Sequence, residues 1–249
     1  MRPVVQWEDP GLPEKDGVKA TVYEMDFSRD GELLVVACAN LVLVYDTKDG
    51  DLVHRLKGHK DTAYSVGFIR DGTRFASGGA DKTVIIWSRK GEGVLKYTHN
   101  DSIQKVSYNQ ATDQLVSCTA NDFGLWSKEQ KSVSKHKVHP RVLSCAWSND
   151  GKSLALGHEN GKISLRDNKG VEKHVIERRD PIFCLAWAPP TVAPNHNGKP
   201  DSVVSSRPEA VRGAVNRVPW GAAAGCARDV SQRPPPHPRR ALSACAVYT

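Results

Sequence analysis

An aromatic residue closes a short apolar run five times along this chain, at Phe27, Phe68, Tyr108, Trp147 and Trp187, with spacings of 41, 40, 39 and 40 residues. A second mark falls 18 or 19 residues after each of the first four, at Tyr45, Trp87, Trp126 and Arg166, and ends another β-favouring run. Two independent marks on one period mean that a unit of about forty residues is repeated. A unit this short cannot bury its own apolar face. It must stack on its neighbours, so the core belongs to the interfaces between units.

The second unit shows the elements most clearly. Tyr64-Ser65-Val66-Gly67-Phe68 alternates large apolar and small residues, Asp71-Gly72 supplies a tight turn, and Arg74-Phe75-Ala76-Ser77-Gly78 follows as a second strand. Thr83-Val84-Ile85-Ile86-Trp87 reads as the third strand and Gly93-Val94-Leu95-Lys96-Tyr97 as the fourth. The turn recurs as Asp30-Gly31 and Asp150-Gly151, while the third unit has Ala111-Thr112-Asp113 and a reshaped turn is expected there. Four short antiparallel strands in forty residues make a blade, and the aligned aromatics Phe27, Phe68, Tyr108, Trp147 and Trp187, with Trp126, are assigned to the core between blades.

Unit two carries Gly58-His59 before its first strand and the run from Arg74 to Trp87 at its end, and on these residues the chain resembles the WD-repeat family. The resemblance implies a hydrogen-bonded tetrad of His59, Ser77, Asp81 and Trp87, in which Asp81 holds His59, His59 holds the Ser77 hydroxyl and Ser77 accepts the indole N–H. Unit three keeps His99 nine residues before Tyr108 but has Asn121-Asp122-Phe123 at a shortened turn; units one and four end in Tyr45-Asp46 and Arg166-Asp167. A complete tetrad is therefore expected in unit two alone.

A narrower resemblance rests on Lys57 to Thr62, Leu95 to Asp101, Asp122 to Ser127 and Glu129 to Lys137, none of which is general WD pattern. These segments are similar to the amino-terminal propeller of a subunit family of intraflagellar transport complex A. The resemblance covers about residues 1–188, including Trp7, and implies a scaffold of retrograde ciliary transport. Its expected partners are other subunits of that complex and ciliary cargo, its expected location the cytoplasm, the cilium and the ciliary base. The expected fold is an all-β, partial WD40 β-propeller, with repeats at about 20–57, 58–98, 99–137 and 138–177 and the first strand of a fifth at 178–188.

Residues 189–249 read differently. They hold ten of the chain's fifteen prolines, ten alanines and seven arginines, and they carry +5 of the formal charge of +7, leaving +2 for residues 1–188. A nearly neutral body is not a trap for phosphates, so no nucleic-acid partner is expected. The tail lacks apolar alternation and proline removes ladder donors, so it is expected to be disordered and unable to supply blades. A polyproline II ligand around Pro234-Pro235-Pro236-His237-Pro238-Arg239-Arg240, a weak RNA-binding arm, and an alternative exon, intron read-through or shifted frame are the readings open for it.

Seven WD blades need about 280 residues at forty each, so this chain is expected to form an open arc with exposed blade faces. Val4-Val5-Gln6-Trp7 is the candidate closing strand. No apolar stretch approaches the roughly 20 residues of a membrane-spanning helix, and the amino terminus lacks a signal-peptide core.

Catalytic and metal chemistry find no assembled parts. The six cysteines, at 38, 118, 145, 184, 226 and 245, form no CxxC pair and are expected as free thiols, with Cys145 a small core hydrophobe. Asp122-Phe123-Gly124 matches a kinase metal motif in isolation, with none of its companion loops. No Walker loop, GxSxG elbow or HExxH helix occurs, so no catalytic, cofactor or metal residue is expected. His59 and His99 read as blade tethers, and His54, His136, His139, His158 and His174 as solvent-facing loop residues. The basic run Lys128 to Lys137 reads as a solvated outer strand, or as contact with a neighbouring subunit. Beside the ciliary scaffold, the alternatives are another WD adaptor, such as a ubiquitin-ligase receptor or vesicle-coat subunit, and a truncated product without independent activity.

Overall fold

The computed structural model describes residues 7, 9, 11–12, 14–15, 18–127, 133–187 and 203–206. The chain is all-β over these residues, with no helix. A two-residue ladder of β1 (Glu14–Lys15) and β2 (Val18–Lys19) precedes four antiparallel sheets, each a meander of four sequential strands. Blade 1 holds β3 (Val22–Phe27), β4 (Leu33–Cys38), β5 (Leu41–Asp46) and β6 (Leu52–Lys57); blade 2 holds β7 (Ala63–Phe68), β8 (Arg74–Gly79), β9 (Thr83–Ser88) and β10 (Gly93–Thr98). Blade 3 holds β11 (Lys105–Tyr108), β12 (Leu115–Cys118), β13 (Asp122–Trp126) and β14 (Ser134–Lys137); blade 4 holds β15 (Val142–Trp147), β16 (Ser153–His158), β17 (Lys162–Asp167) and β18 (Glu172–Glu177). A fifth sheet pairs β19 (Cys184–Trp187) with β20 (Val203–Ser206). The first strands β3, β7, β11, β15 and β19 lie side by side in succession, which makes them the inner strands of a fan of blades.

The middle strands are buried on both faces because a neighbouring blade lies on each side, and alternate residues enter opposite interfaces. Phe75 and Ile85 of blade 2 join Val35, Val42 and Val44 of blade 1 in one cluster. Their neighbours Ala76 and Ile86 join Val106, Tyr108 and Leu115 of blade 3 in another. The rule repeats between blades 3 and 4, where Cys118, Phe123 and Leu125 meet Cys145, Trp147 and Leu154, and between blade 4 and the fifth sheet, where Ile163 meets Ile182 and Leu185. The outer strands have one covered face at most, and five of the six β10 residues are exposed. This is why β4 and β5 read as unbroken apolar runs and β14 as Ser-Lys-His-Lys.

Turn chemistry fixes the register. Gly31, Gly72 and Gly151 have φ of 71°, 65° and 70°, the left-handed region that favours glycine, and each donates its N–H three residues back, to Ser28, Ile69 and Ser148. Blade 3 differs as its sequence implies: Asp113, with φ of 57°, donates four residues back to the Asn109 carbonyl.

Several expectations are corrected. Phe27 is 58% exposed. Phe68 packs on the blade 1 face turned toward blade 2, so the equivalent Phe27 points from the opposite face, where Trp7, Leu12, Ala20 and Val22 cover the β4 and β5 side chains instead. Trp126 and Trp187 do pack between blades as expected, though half-buried: Trp126 lies against the cluster of blades 2 and 3, and Trp187 against that of blade 4 and the fifth sheet, donating its indole N–H to the Ala146 carbonyl at 3.0 Å. His158, expected at the surface, is buried. The segment after 188 does supply a ladder: β20 opposes β19 with Val204 across from Ala186. It occupies the proline-free stretch between Pro200 and Pro208, which an average over the whole tail conceals. The closing-strand reading at Val4 to Gln6, most of the tail with Pro234 to Pro238, and Lys128 to Ser132 of the basic run lie outside the described residues; Trp7 stacks on Tyr45 at 5.6 Å.

Phe75→Ala should lower the unfolding free energy by about 3–5 kcal/mol, because it empties a fully buried site against Phe68 and Trp87. Phe27→Ala should cost within about 0.5 kcal/mol. Urea unfolding of the two variants beside the parent chain measures both.

Candidate interaction site

The polar side chains inside the blades are committed to one another. In blade 2, His59 Nδ1 stands 3.0 Å from Asp81 Oδ1 and Nε2 stands 2.7 Å from Ser77 Oγ, while Trp87 Nε1 donates to Ser77 Oγ at 2.8 Å. With Nδ1–H facing a carboxylate, Nε2 accepts the serine proton and the serine oxygen accepts the indole, so every member is satisfied. Burial pushes the Asp81 carboxyl up, but the N–H of Lys60, the His59 ring and the Thr83 hydroxyl outweigh it and hold the group below its ordinary value. Gly58 is required beneath this group, since a Cβ there would stand 2.6 Å from the Trp87 ring.

Blade 3 builds a variant. His99 Nδ1 lies 3.1 Å from Asp122 Oδ1 and Nε2 lies 2.8 Å from Ser117 Oγ, and the Tyr97 hydroxyl, from β10 of blade 2, reaches that serine at 3.4 Å. Blade 4 moves the histidine itself: His158 Nε2 meets Ser164 Oγ at 2.9 Å and Nδ1 donates to the Pro140 carbonyl at 2.8 Å. His158 pairs with Val142 where Gly79 pairs with Ala63. A Cβ on Gly79 would come within 3.2 Å of His59 Nδ1. Blade 4 thus fills from its second strand the space that blade 2 fills from the loop before its first. No spacing rule tied to His59 or His99 could find it.

Both ring nitrogens of His59, His99 and His158 are used, and among the described residues no three His, Cys, Asp or Glu groups are placed to hold a metal ion. Cys118 lies beside Cys145 in the core, and that contact, with burial, pushes its thiol well up, away from a nucleophilic thiolate. Among the described residues no helix is long and apolar enough to cross a membrane.

The surface offers more at the entry of the inner strands. The β3–β4, β7–β8 and β15–β16 ladders each slip by one residue near their start, leaving Tyr23, Tyr64 and Leu143 as the extra residue of a bulge. Bulges turn a side chain off the strand's alternation. Gln104 and Phe183 hold the same place in the other two units, each four residues before the aligned aromatic. Tyr23 is 50% and Phe183 55% exposed, and the Tyr23 ring meets Tyr64 edge-on at 5.1 Å. Below them the inner strands are polar and paired: Glu24 of blade 1 bonds Ser65 of blade 2 and Lys105 of blade 3, and Asp26 accepts the Phe68 N–H at 2.7 Å. The exposed rings of Tyr23 and Phe183, with half-buried Tyr64 and Leu143, stand above a paired polar floor and suit contact with another protein. Pattern reasoning missed these five residues because it credited the buried end of each strand; their constant offset of four was the available signal.

The fold and its internal tethers define a WD-type β-propeller. The family model described as the IFT122 first beta-propeller matches residues 21–205, and the chain belongs to that family. It is 55% identical over 193 residues to the Intraflagellar transport protein 122 homologs of Danio rerio and Xenopus tropicalis and 52% identical to that of Homo sapiens, covering 76% of this chain in each case. The chain spans 16% of the length of the first two relatives and 15% of the human one. Eukaryotic translation initiation factor 3 subunit I of Aspergillus fumigatus is 24% identical over 179 residues, 63% of this chain and 53% of that protein. The family match runs past residue 188 to the middle of β20, in agreement with the ladder found there.

Ser77→Ala strands the buried His59 ring and Trp87 indole, and should cost about 1–3 kcal/mol in urea unfolding. Burial holds His99, His136 and His158 below the ordinary imidazole value of 6.5, helped at His136 and His158 by the Arg166 charge. The unfolded chain therefore takes up protons at these sites before the folded one does. Their contribution is complete above about pH 6.5 and is lost as the pH falls below it. The urea midpoint should drop between pH 7.5 and 5.5, and His158→Gln should shrink that drop.

Proposed function

We propose that this chain is a non-enzymatic protein-interaction scaffold acting within intraflagellar transport complex A, in retrograde ciliary transport, cilium assembly and the localisation of proteins to cilia. Its place of action is the cytoplasm, the cilium and the ciliary base, and its partners are other subunits of that complex and ciliary cargo. The observation that carries this reading is membership of the IFT122 first beta-propeller family over residues 21–205. The geometry agrees with it: the histidines inside the blades are spent on tethers, and Tyr23 and Phe183 expose apolar rings at the same register of two inner strands. That row, Tyr23, Tyr64, Gln104, Leu143 and Phe183, is the contact surface we assign to a partner subunit.

Tagged full chain expressed in ciliated cells should recover complex A subunits. Tyr23→Ala combined with Tyr64→Ala should reduce that recovery at least about fivefold, as removal of paired aromatic anchors does, without moving the urea midpoint by more than the surface substitutions set. Recovery of ubiquitin-ligase, vesicle-coat or translation-initiation components in place of complex A subunits would reject the reading.

A further inference from the structure

A cleft of about 400 Å³ opens at the outer rim between blades 3 and 4, away from the row of Tyr23 to Phe183. Thr112, Gln114, Ser127 and Ser134 line it from blade 3, Asn168 and Lys169 from the β17–β18 turn of blade 4, and Leu125 and His136 complete it. Among the described residues three hydroxyls, two amides and one ammonium face a common space, and no carboxylate lines it. Two carboxylates of blade 4 near the cleft are taken: Glu172 by Arg166 at 2.7 Å, and Asp167 by Lys173 at 3.2 Å and by the N–H groups of Lys169 and Val171. Among the described residues Lys169 forms no ion pair.

The rim is also built to keep its shape. His136 stacks on Phe123 at 4.9 Å and 15°, Arg166 from blade 4 lies 5.4 Å from the same ring, and the Arg166 guanidinium donates to the Gly170 carbonyl at 3.0 Å. Gly170, with φ of 86°, presses on the imidazole, and a Cβ there would stand 2.7 Å from His136 Nε2. The turn carrying Asn168 and Lys169 is thereby clamped to the strand carrying Ser134 and His136.

We propose that this cleft receives an acidic side chain, aspartate, glutamate or phosphoserine, from an extended segment of a partner protein. An ammonium among converging hydroxyl and amide donors is the arrangement that stabilises one desolvated anionic group. A nucleic acid would need a longer basic track and exposed stacking rings, which this rim lacks among its described residues. The proposal rests on the scaffold reading, but it uses a different surface from the one assigned to complex A subunits, so the two can fail separately.

The test is fluorescence anisotropy of the full chain with a fluorescein-labelled octapeptide of alternating Ser and Glu, its Gln counterpart, and phosphatidylcholine vesicles with and without phosphatidylserine. The acidic peptide should bind and the Gln peptide should not. Lys169→Glu should weaken binding about tenfold, the loss of one charge-assisted contact, while Lys137→Glu, on the other face of β14, should leave it unchanged. Absence of acidic-peptide binding, equal affinity of the Glu and Gln peptides, an unaltered Lys169→Glu variant, or binding to anionic vesicles alone would overturn the proposal.

Discussion

Every blade of this molecule has two apolar faces and no means of covering either by itself. Because side chains alternate across a strand, Phe75 and Ile85 commit blade 2 to blade 1 while Ala76 and Ile86 commit it to blade 3. The rest of the architecture follows from that parity. The inner strands lie side by side, the middle strands are dry, and the outer strands are free to carry lysine and glutamate. Stability in such a stack is a sum over interfaces.

The polar tethers add orientation to this packing. In blade 2 a loop histidine is pinned by Asp81 and passes its second nitrogen to a serine that also receives the Trp87 indole, so the loop entering the blade and its two middle strands are joined by groups that would be costly to leave unpaired. The serine of blade 3 receives the hydroxyl of Tyr97 from β10 of blade 2, and blade 4 supplies the ring from His158. The requirement is a satisfied imidazole and hydroxyl in the space between loop and sheet, and the sequence position that delivers them is free to vary.

That freedom marks what could be read from the sequence. The forty-residue period, the four strands of each unit and the turns at Gly31, Gly72 and Gly151 were legible because local patterning and backbone conformation dictate them. Phe27 was misplaced because periodicity reports that a residue occupies an aligned position, and not whether a neighbour covers its face. His158 was missed because its partner in space, Ser164, lies where blade 2 has Ile85. The row from Tyr23 to Phe183 escaped notice because strand patterning credits the buried end of each inner strand, and the bulges that turn out Tyr23, Tyr64 and Leu143 are a property of the paired ladder. The β20 strand was obscured by the proline content on either side of it.

The central claim is that shared blade faces, and not the blades themselves, hold the molecule together. Amide hydrogen exchange resolved by segment tests it directly, since protection follows the local cost of opening. Strands β8 and β9, covered on both faces and tied by the complete tetrad, should exchange slowest, with β10 of the same sheet faster by orders of magnitude. Equal protection of β9 and β10 would mean that each sheet is stabilised from within, and would contradict the account.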